Sequence, residues 1–176
     1  MTILTNPAKL LLIVFFAALS ASCGQGADQG SSDQQQTVRD NNTGPVVSSR
    51  YAGTPLVVGD RFEMEISMDN FPVSEGGGVS LKFNPAVLKI EKVDQEFHWD
   101  LAYQPGTIDN AGGEVSDIMI SSFNGNSGSV TFATIHAKAV GSGTSSIDLI
   151  ESVKNPFAAS GKQVPVVLKS SFIQVN

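Results

Sequence analysis

From Arg61 to Asn70 the chain alternates without a slip: Phe62, Met64, Ile66 and Met68 are apolar, and Glu63, Glu65, Ser67 and Asp69 between them are polar. Successive side chains of a strand point to opposite faces, so this spacing gives one apolar and one polar face, whereas a helix would scatter both sets around its circumference. A half-buried strand needs a second apolar layer to cover it. Shorter stretches of the same kind follow at 78–83, with Val79, Leu81 and Phe83 inward, and at 87–93, 113–123, 129–140, 144–150 and 164–175. Turn chemistry separates them: Asn84-Pro85, Gly112-Gly113, the run from Asn124 to Gly128, Gly141-Ser142-Gly143 and Ser160-Gly161. No segment has a helical apolar period beyond a single turn at 84–88 or 153–159. The pattern predicts an all-β, two-layer antiparallel β-sandwich over residues 51–176. One stretch does not keep its period. Val130 and Phe132 share one face while Ala133, Ile135 and Ala137 share the other, so the strand is either buried on both sides or carries a β-bulge near Phe132; the bulge is favoured, since His136 and Lys138 would otherwise point inward.

Residues 51–176 contain 8 Lys and Arg against 14 Asp and Glu, which argues against nucleic acid, whose phosphates demand a basic face. Lys82, Lys89 and Lys92 fall on exposed positions of two consecutive strands and form a candidate basic spot. The only histidines, His98 and His136, lie 38 residues apart, and no G-x-S-x-G elbow marks a nucleophile. A pair of catalytic carboxylates is defined by separation in space, so spacing along the chain does not decide it. His98 with Asp100 is too small a set for zinc, and Asn124–Ser129 and Asp109–Asn110 match no calcium-loop pattern and read as turns. No cofactor and no metal is expected, and nothing marks the chain as an enzyme.

The single cysteine, Cys23, stands behind a leader-like start. Lys9 supplies a positive n-region, Leu10 to Leu19 a short apolar run, and Ser20 to Ser22 a small-residue cleavage zone. The run is too short for the roughly 20 residues that span a bilayer. A signal ending on cysteine resembles the lipobox of bacterial lipoproteins, with Ser20 where Leu is more usual. That resemblance implies a signal peptide over 1–22, acylation of Cys23 and a membrane anchor in the bacterial cell envelope. Gly24, where Asp tends to hold such proteins at the inner membrane, points to the outer membrane of a Gram-negative cell. Residues 24–50 are rich in Gly, Ser, Gln, Asn and Asp and poor in large apolar side chains, so they read as a tether unable to offset its ordering entropy.

The order of motifs in residues 54–176 is similar to the cohesin domain. The residues that carry this are Val58-Gly59-Asp60-Arg61-Phe62 opening a long strand, then Gly78 to Leu88, then Gly128 to Ile135, and Ser171-Phe172-Ile173-Gln174-Val175 at the end. The resemblance implies a nine-stranded jelly roll that binds a protein partner, in cellulosomes the dockerin module of an enzyme. It also implies that the binding face includes the strand at Val79–Phe83, making Ser80, Lys82 and Asn84 contact candidates. Asn84, where many members carry Asp, and the Gly76-Gly77-Gly78 triplet depart from the pattern. Cellulose-binding modules share the fold, so polysaccharide is an alternative ligand, linked to polysaccharide breakdown by a partner enzyme. The candidate stacking rings are Trp99 and Tyr103 in the segment 96–103. The competing reading turns Phe97, Trp99 and Leu101 inward as a buried strand, with Trp99 plugging the core.

Overall fold

The computed structural model describes residues 44–96 and 98–176. Residues 1–22, Cys23, the tether up to residue 43 and Phe97 lie outside the described residues. Eleven strands run in chain order: β1 (Val46–Arg50), β2 (Arg61–Lys82), β3 (Leu88–Gln95), β4 (Ala102–Gln104), β5 (Thr107–Asp109), β6 (Glu114–Ala139), β7 (Gly143–Glu151), β8 (Ala158–Ala159), β9 (Lys162–Gln163), β10 (Val167–Lys169) and β11 (Ser171–Val175). Helix is absent among the described residues; the chain at 84–88 makes a single turn, with the Val87 and Leu88 N–H groups donating to the Asn84 carbonyl.

The alternation at Arg61–Asn70 is realised in the strand: Phe62, Met64, Ile66 and Met68 are buried and Glu63 and Glu65 are exposed. What periodicity does not show is the length of the strand. Both β2, with 22 residues, and β6, with 26, pass through two layers and pair with each other along most of their length. In the first layer the order is β10-β1-β2-β6-β3, using the N-terminal half of β2 and the C-terminal half of β6. In the second, β11 pairs β7, β7 pairs the C-terminal half of β2, and that half pairs the N-terminal half of β6, which carries β4 and β5 on its other side. Two long strands counted as halves, β4 with β5 and β10 with β11 as interrupted strands, and the β8–β9 hairpin set apart, make the nine strands of a jelly roll.

The change of layer happens at 71–76 in β2 and 121–128 in β6, where the register shifts repeatedly. Gly76, Gly125 and Gly128 have positive φ there, a conformation that costs a residue with a Cβ. The Asn124–Gly128 run is therefore a bend inside one strand and not a break between two. The bulge expected near Phe132 is present: Ile66 pairs Ala133 and Ser67 pairs Thr131, so Phe132 is skipped in the ladder. Its ring turns into the core, 6.3 Å from Trp99 and 5.9 Å from Phe157, and Phe157 lies 5.3 Å from Phe71. His136 and Lys138 accordingly face outward and are only partly buried.

The domain boundary at Tyr51 needs correction. Val46 to Arg50, placed with the tether, form β1, antiparallel to β2 and parallel to β10. Val46 and Val47 are buried, and the Ser48 and Ser49 hydroxyls bond to Ser67 and Ser171. Two small polar residues disguise a strand whose hydroxyls are satisfied inside the sheet.

Candidate recognition face

The outer side of the second layer is the candidate site, and the register sets which side chains meet on it. Residues directly opposite in an antiparallel pair point the same way. Lys82 lies opposite Asp148 of β7 and Glu114 of β6, and Ser80 lies opposite Ile150. Gly78 is opposite Met119, and Phe172 of β11 is opposite Ser146. Val79 and Leu81, between these positions, are fully buried, which fixes the outward sense of Ser80 and Lys82. Lys82 and Glu114 enter no ion pair among the described residues, while Ile150 and Phe172 are exposed.

Ser80 and Lys82 thus point outward on the same face. Ser80 also braces the neighbouring strand, because its hydroxyl accepts the Asp117 N–H at 3.1 Å. Asp117 is the extra residue of a bulge in β6, with φ of 56°, and its carboxylate takes the Ser152 hydroxyl at 3.3 Å and the Lys154 ammonium at 3.0 Å. Periodicity gives no sign of this network; nothing but the tolerance of Asp for left-handed backbone could have pointed to it. Asn84 lies beyond the end of β2, at the rim. Its side-chain oxygen accepts the Ala86 N–H at 3.0 Å and its own N–H goes to Ser145, an Asx turn in which Asn serves as Asp would.

Gly76, Gly77 and Gly78 explain how the neighbouring loop closes down. A Cβ on Gly77 would stand 2.4 Å from the Phe157 ring, and one on Gly78 3.0 Å from Ser152 and 3.2 Å from Asn155. With no side chains in the way, residues 152–158 lie on the sheet and leave a shallow depression bounded by Met119, Ser121 and Pro156.

The sugar platform is corrected. Trp99 has no exposed surface, and its indole N–H donates to the Thr131 carbonyl at 3.0 Å. Tyr103 is half-buried, its hydroxyl donating to the Val93 carbonyl, and burial together with the nearby Asp94 charge pushes its phenol up to about 12. Both rings serve the core, because the bulge at Phe132 leaves room for an indole beside it. Leu101, expected inward with Trp99, is instead 60% exposed. Asp100 accepts the Phe123 N–H at 3.1 Å, and that bond holds its carboxyl below the usual range.

The basic spot does not assemble. Lys82 is on the second layer, whereas Lys89 and Lys92 are on β3 of the first, and Lys92 is paired with Asp94 at 2.7 Å. The first layer's outer face is a charge ladder: Arg61 meets Glu91 at 2.9 Å, and His136 sits between Glu63 at 3.2 Å and Asp94 at 2.9 Å. Hydrogen bonding between them raises the Arg61 guanidinium and lowers the Glu91 carboxyl; the Lys92 hydrogen bond, then His136, lowers Asp94. Among the described residues no three His, Cys, Asp or Glu side chains are grouped to hold a metal ion. Asp109 caps its own turn through the Ala111 and Gly112 N–H groups, and the Asn110 side chain bonds to both the N–H and the carbonyl of Ile90.

No family model matches the chain, and no curated protein matches it in sequence. Solved structures do. A non-cellulosomal cohesin from the archaeon Archaeoglobus fulgidus superposes with a TM-score of 0.62 at 14% identity, over 76% of this chain and 91% of that one. The fold is that of a cohesin domain. A type I cohesin–dockerin complex from Clostridium thermocellum matches at TM-score 0.60 and 12% identity, over 76% of this chain and 99% of the other. The third ScaC cohesin of Acetivibrio cellulolyticus, in complex with the ScaB dockerin, gives 0.60 at 18% identity, over 74% and 98%.

Proposed function

We propose that this chain is a lipid-anchored, non-catalytic binding module that holds a partner protein at the bacterial cell envelope. The partner is a dockerin-like module or a component of the envelope or secretion apparatus. The observation that carries the reading is the outer face of the second layer, where Lys82, Asp148, Glu114 and Ile150 stand side by side on adjacent strands of a cohesin fold. Mixed charge beside exposed apolar groups suits a protein surface, with charge giving orientation and apolar contact giving affinity. Two of the similar structures are themselves complexes with dockerins. Direct polysaccharide binding loses its platform once Trp99 and Tyr103 are spent on the core. Acylation of Cys23 would place the domain on a membrane, and Gly24 favours the outer one.

The test is retention of envelope components by the immobilised soluble chain lacking Cys23, beside the variants Lys82→Glu and Asp148→Lys. A single protein species should be retained by the unaltered chain and lost from both variants. Retention of polysaccharide without protein would reverse the assignment.

A further inference from the structure

The strand registers put residue 44 at one particular end of the sandwich. Val46 pairs with Asp69, so β1 begins beside the point where β2 leaves the first layer, and the crossover of β6 lies there as well. The same end displays three large apolar side chains: Val73, 57% exposed, on the β2 crossover, Phe123, 77% exposed, on the β6 crossover, and Leu101, 60% exposed, just before β4. Their backbones are held. The Leu101 N–H bonds to the Ser121 carbonyl at 3.2 Å, the Phe123 N–H to Asp100 at 3.1 Å, and the Asn126 amide to the His98 carbonyl at 2.8 Å. Val73 lies so close to Gly125 that a Cβ there would stand 2.7 Å from its methyl carbon, so the two crossovers pack together. Around Phe123 the loop is neutral and polar, Asn124-Gly125-Asn126-Ser127, without Lys or Arg. An aromatic and two aliphatic groups on a fixed polar rim, with the neighbouring Asp100 carboxylate engaged by the Phe123 N–H, suit an interface where one side is apolar and the other wet.

We propose that this end of the sandwich rests on the lipid surface, with Phe123, Leu101 and Val73 entering the headgroup region. The inference depends on the anchoring of Cys23 proposed above. Twenty residues separate Cys23 from Gly44, and this is the end of the domain to which they attach. The opposite end, with exposed Val57 and Val58, stands roughly 35 Å away along the 11 residues of β2 from Arg61 to Phe71. Seated this way, both layers stand upright on the membrane and the recognition face looks sideways, open to a partner in the same compartment.

The experiment uses the full chain, expressed with its own leader, purified and reconstituted into phosphatidylethanolamine–phosphatidylglycerol vesicles carrying a quencher lipid. A fluorophore is attached at Ser127→Cys, beside Phe123, or at Ser142→Cys, in the turn at the opposite end. The label at 127 should be quenched several-fold more than the label at 142. The double change Phe123→Ser with Leu101→Ser should bring the two to the same level without moving the thermal midpoint, since both side chains are in solvent. Equal quenching in acylated protein overturns the inference and leaves the anchor intact. Self-quenching at 127 that rises with protein density and ignores the quencher lipid overturns it in favour of a second copy of the chain. A mass without acyl chains on Cys23 removes the anchoring itself, and this inference with it.

Discussion

Trp99 and Tyr103 lie four residues apart and hold different joints of the molecule. The indole fills the space beside Phe132, and its N–H ties the segment before β4 to β6 through the Thr131 carbonyl. Trp99→Ala should cost about 3–5 kcal/mol in urea unfolding followed by circular dichroism, the range for emptying a buried aromatic site. Iodide should leave the fluorescence of the unaltered protein unquenched. The Tyr103 hydroxyl ties β4 of one layer to β3 of the other through the Val93 carbonyl. Its folded pKa of about 12 lies above the ordinary 10.0, so the folded state holds the proton more tightly. The stabilisation is complete below pH 10 and is lost as pH rises from 10 towards about 12. Tyr103→Phe should flatten the loss of unfolding free energy in that window, at a cost of about 1 kcal/mol near neutrality for the missing hydrogen bond.

At the scale of elements, the glycines in and around the two crossovers decide the architecture. β2 changes layer just before Gly76-Gly77-Gly78, where the Phe157 ring occupies the space a side chain on Gly77 would need. Gly77→Ala should destabilise by about 1–3 kcal/mol, measured by chemical unfolding, because the ring and its neighbours must shift in a packed core. Strand β1 makes a second prediction. A chain beginning at Tyr51 leaves the edge of β2 unpaired and removes Val47, which has no exposed surface, so it should unfold or aggregate where a chain beginning at residue 42 folds cooperatively. Size exclusion and thermal melting of the two would compare them directly.

For the whole molecule, the two outer faces divide the work. The first layer's face spends its charges on itself through Arg61–Glu91, Lys92–Asp94 and His136 between Glu63 and Asp94. Exposed pairs of this kind are screened by solvent and add little to stability. The second layer's face keeps Lys82 and Glu114 outside any ion pair among the described residues. Reversal of charge at Lys82 should therefore leave the thermal midpoint within about a degree and weaken partner binding at least tenfold by titration calorimetry, since like charges at an interface cost several kcal/mol. A midpoint that falls with the affinity would show that Lys82 supports the fold.

The amino-acid sequence by itself determined the class of fold, because alternation at period two survives wherever one face is buried and the other wet, as at Phe62 to Met68. It also favoured the bulge at Phe132 over a strand buried on both sides, since His136 and Lys138 would otherwise point inward, and it carried the outward sense of Ser80 and Lys82, which follows from Val79 and Leu81. Tertiary structure alone decided the rest. That Val46 to Arg50 is a strand depends on hydroxyl partners 19 and 122 residues away along the chain. The separation of Lys82 from Lys89 and Lys92 arises because the C-terminal half of β2 lies in the second layer and β3, which follows it, in the first. Trp99 reads alike as platform or plug in a local window; its packing against a skipped residue on a distant strand settles which it is.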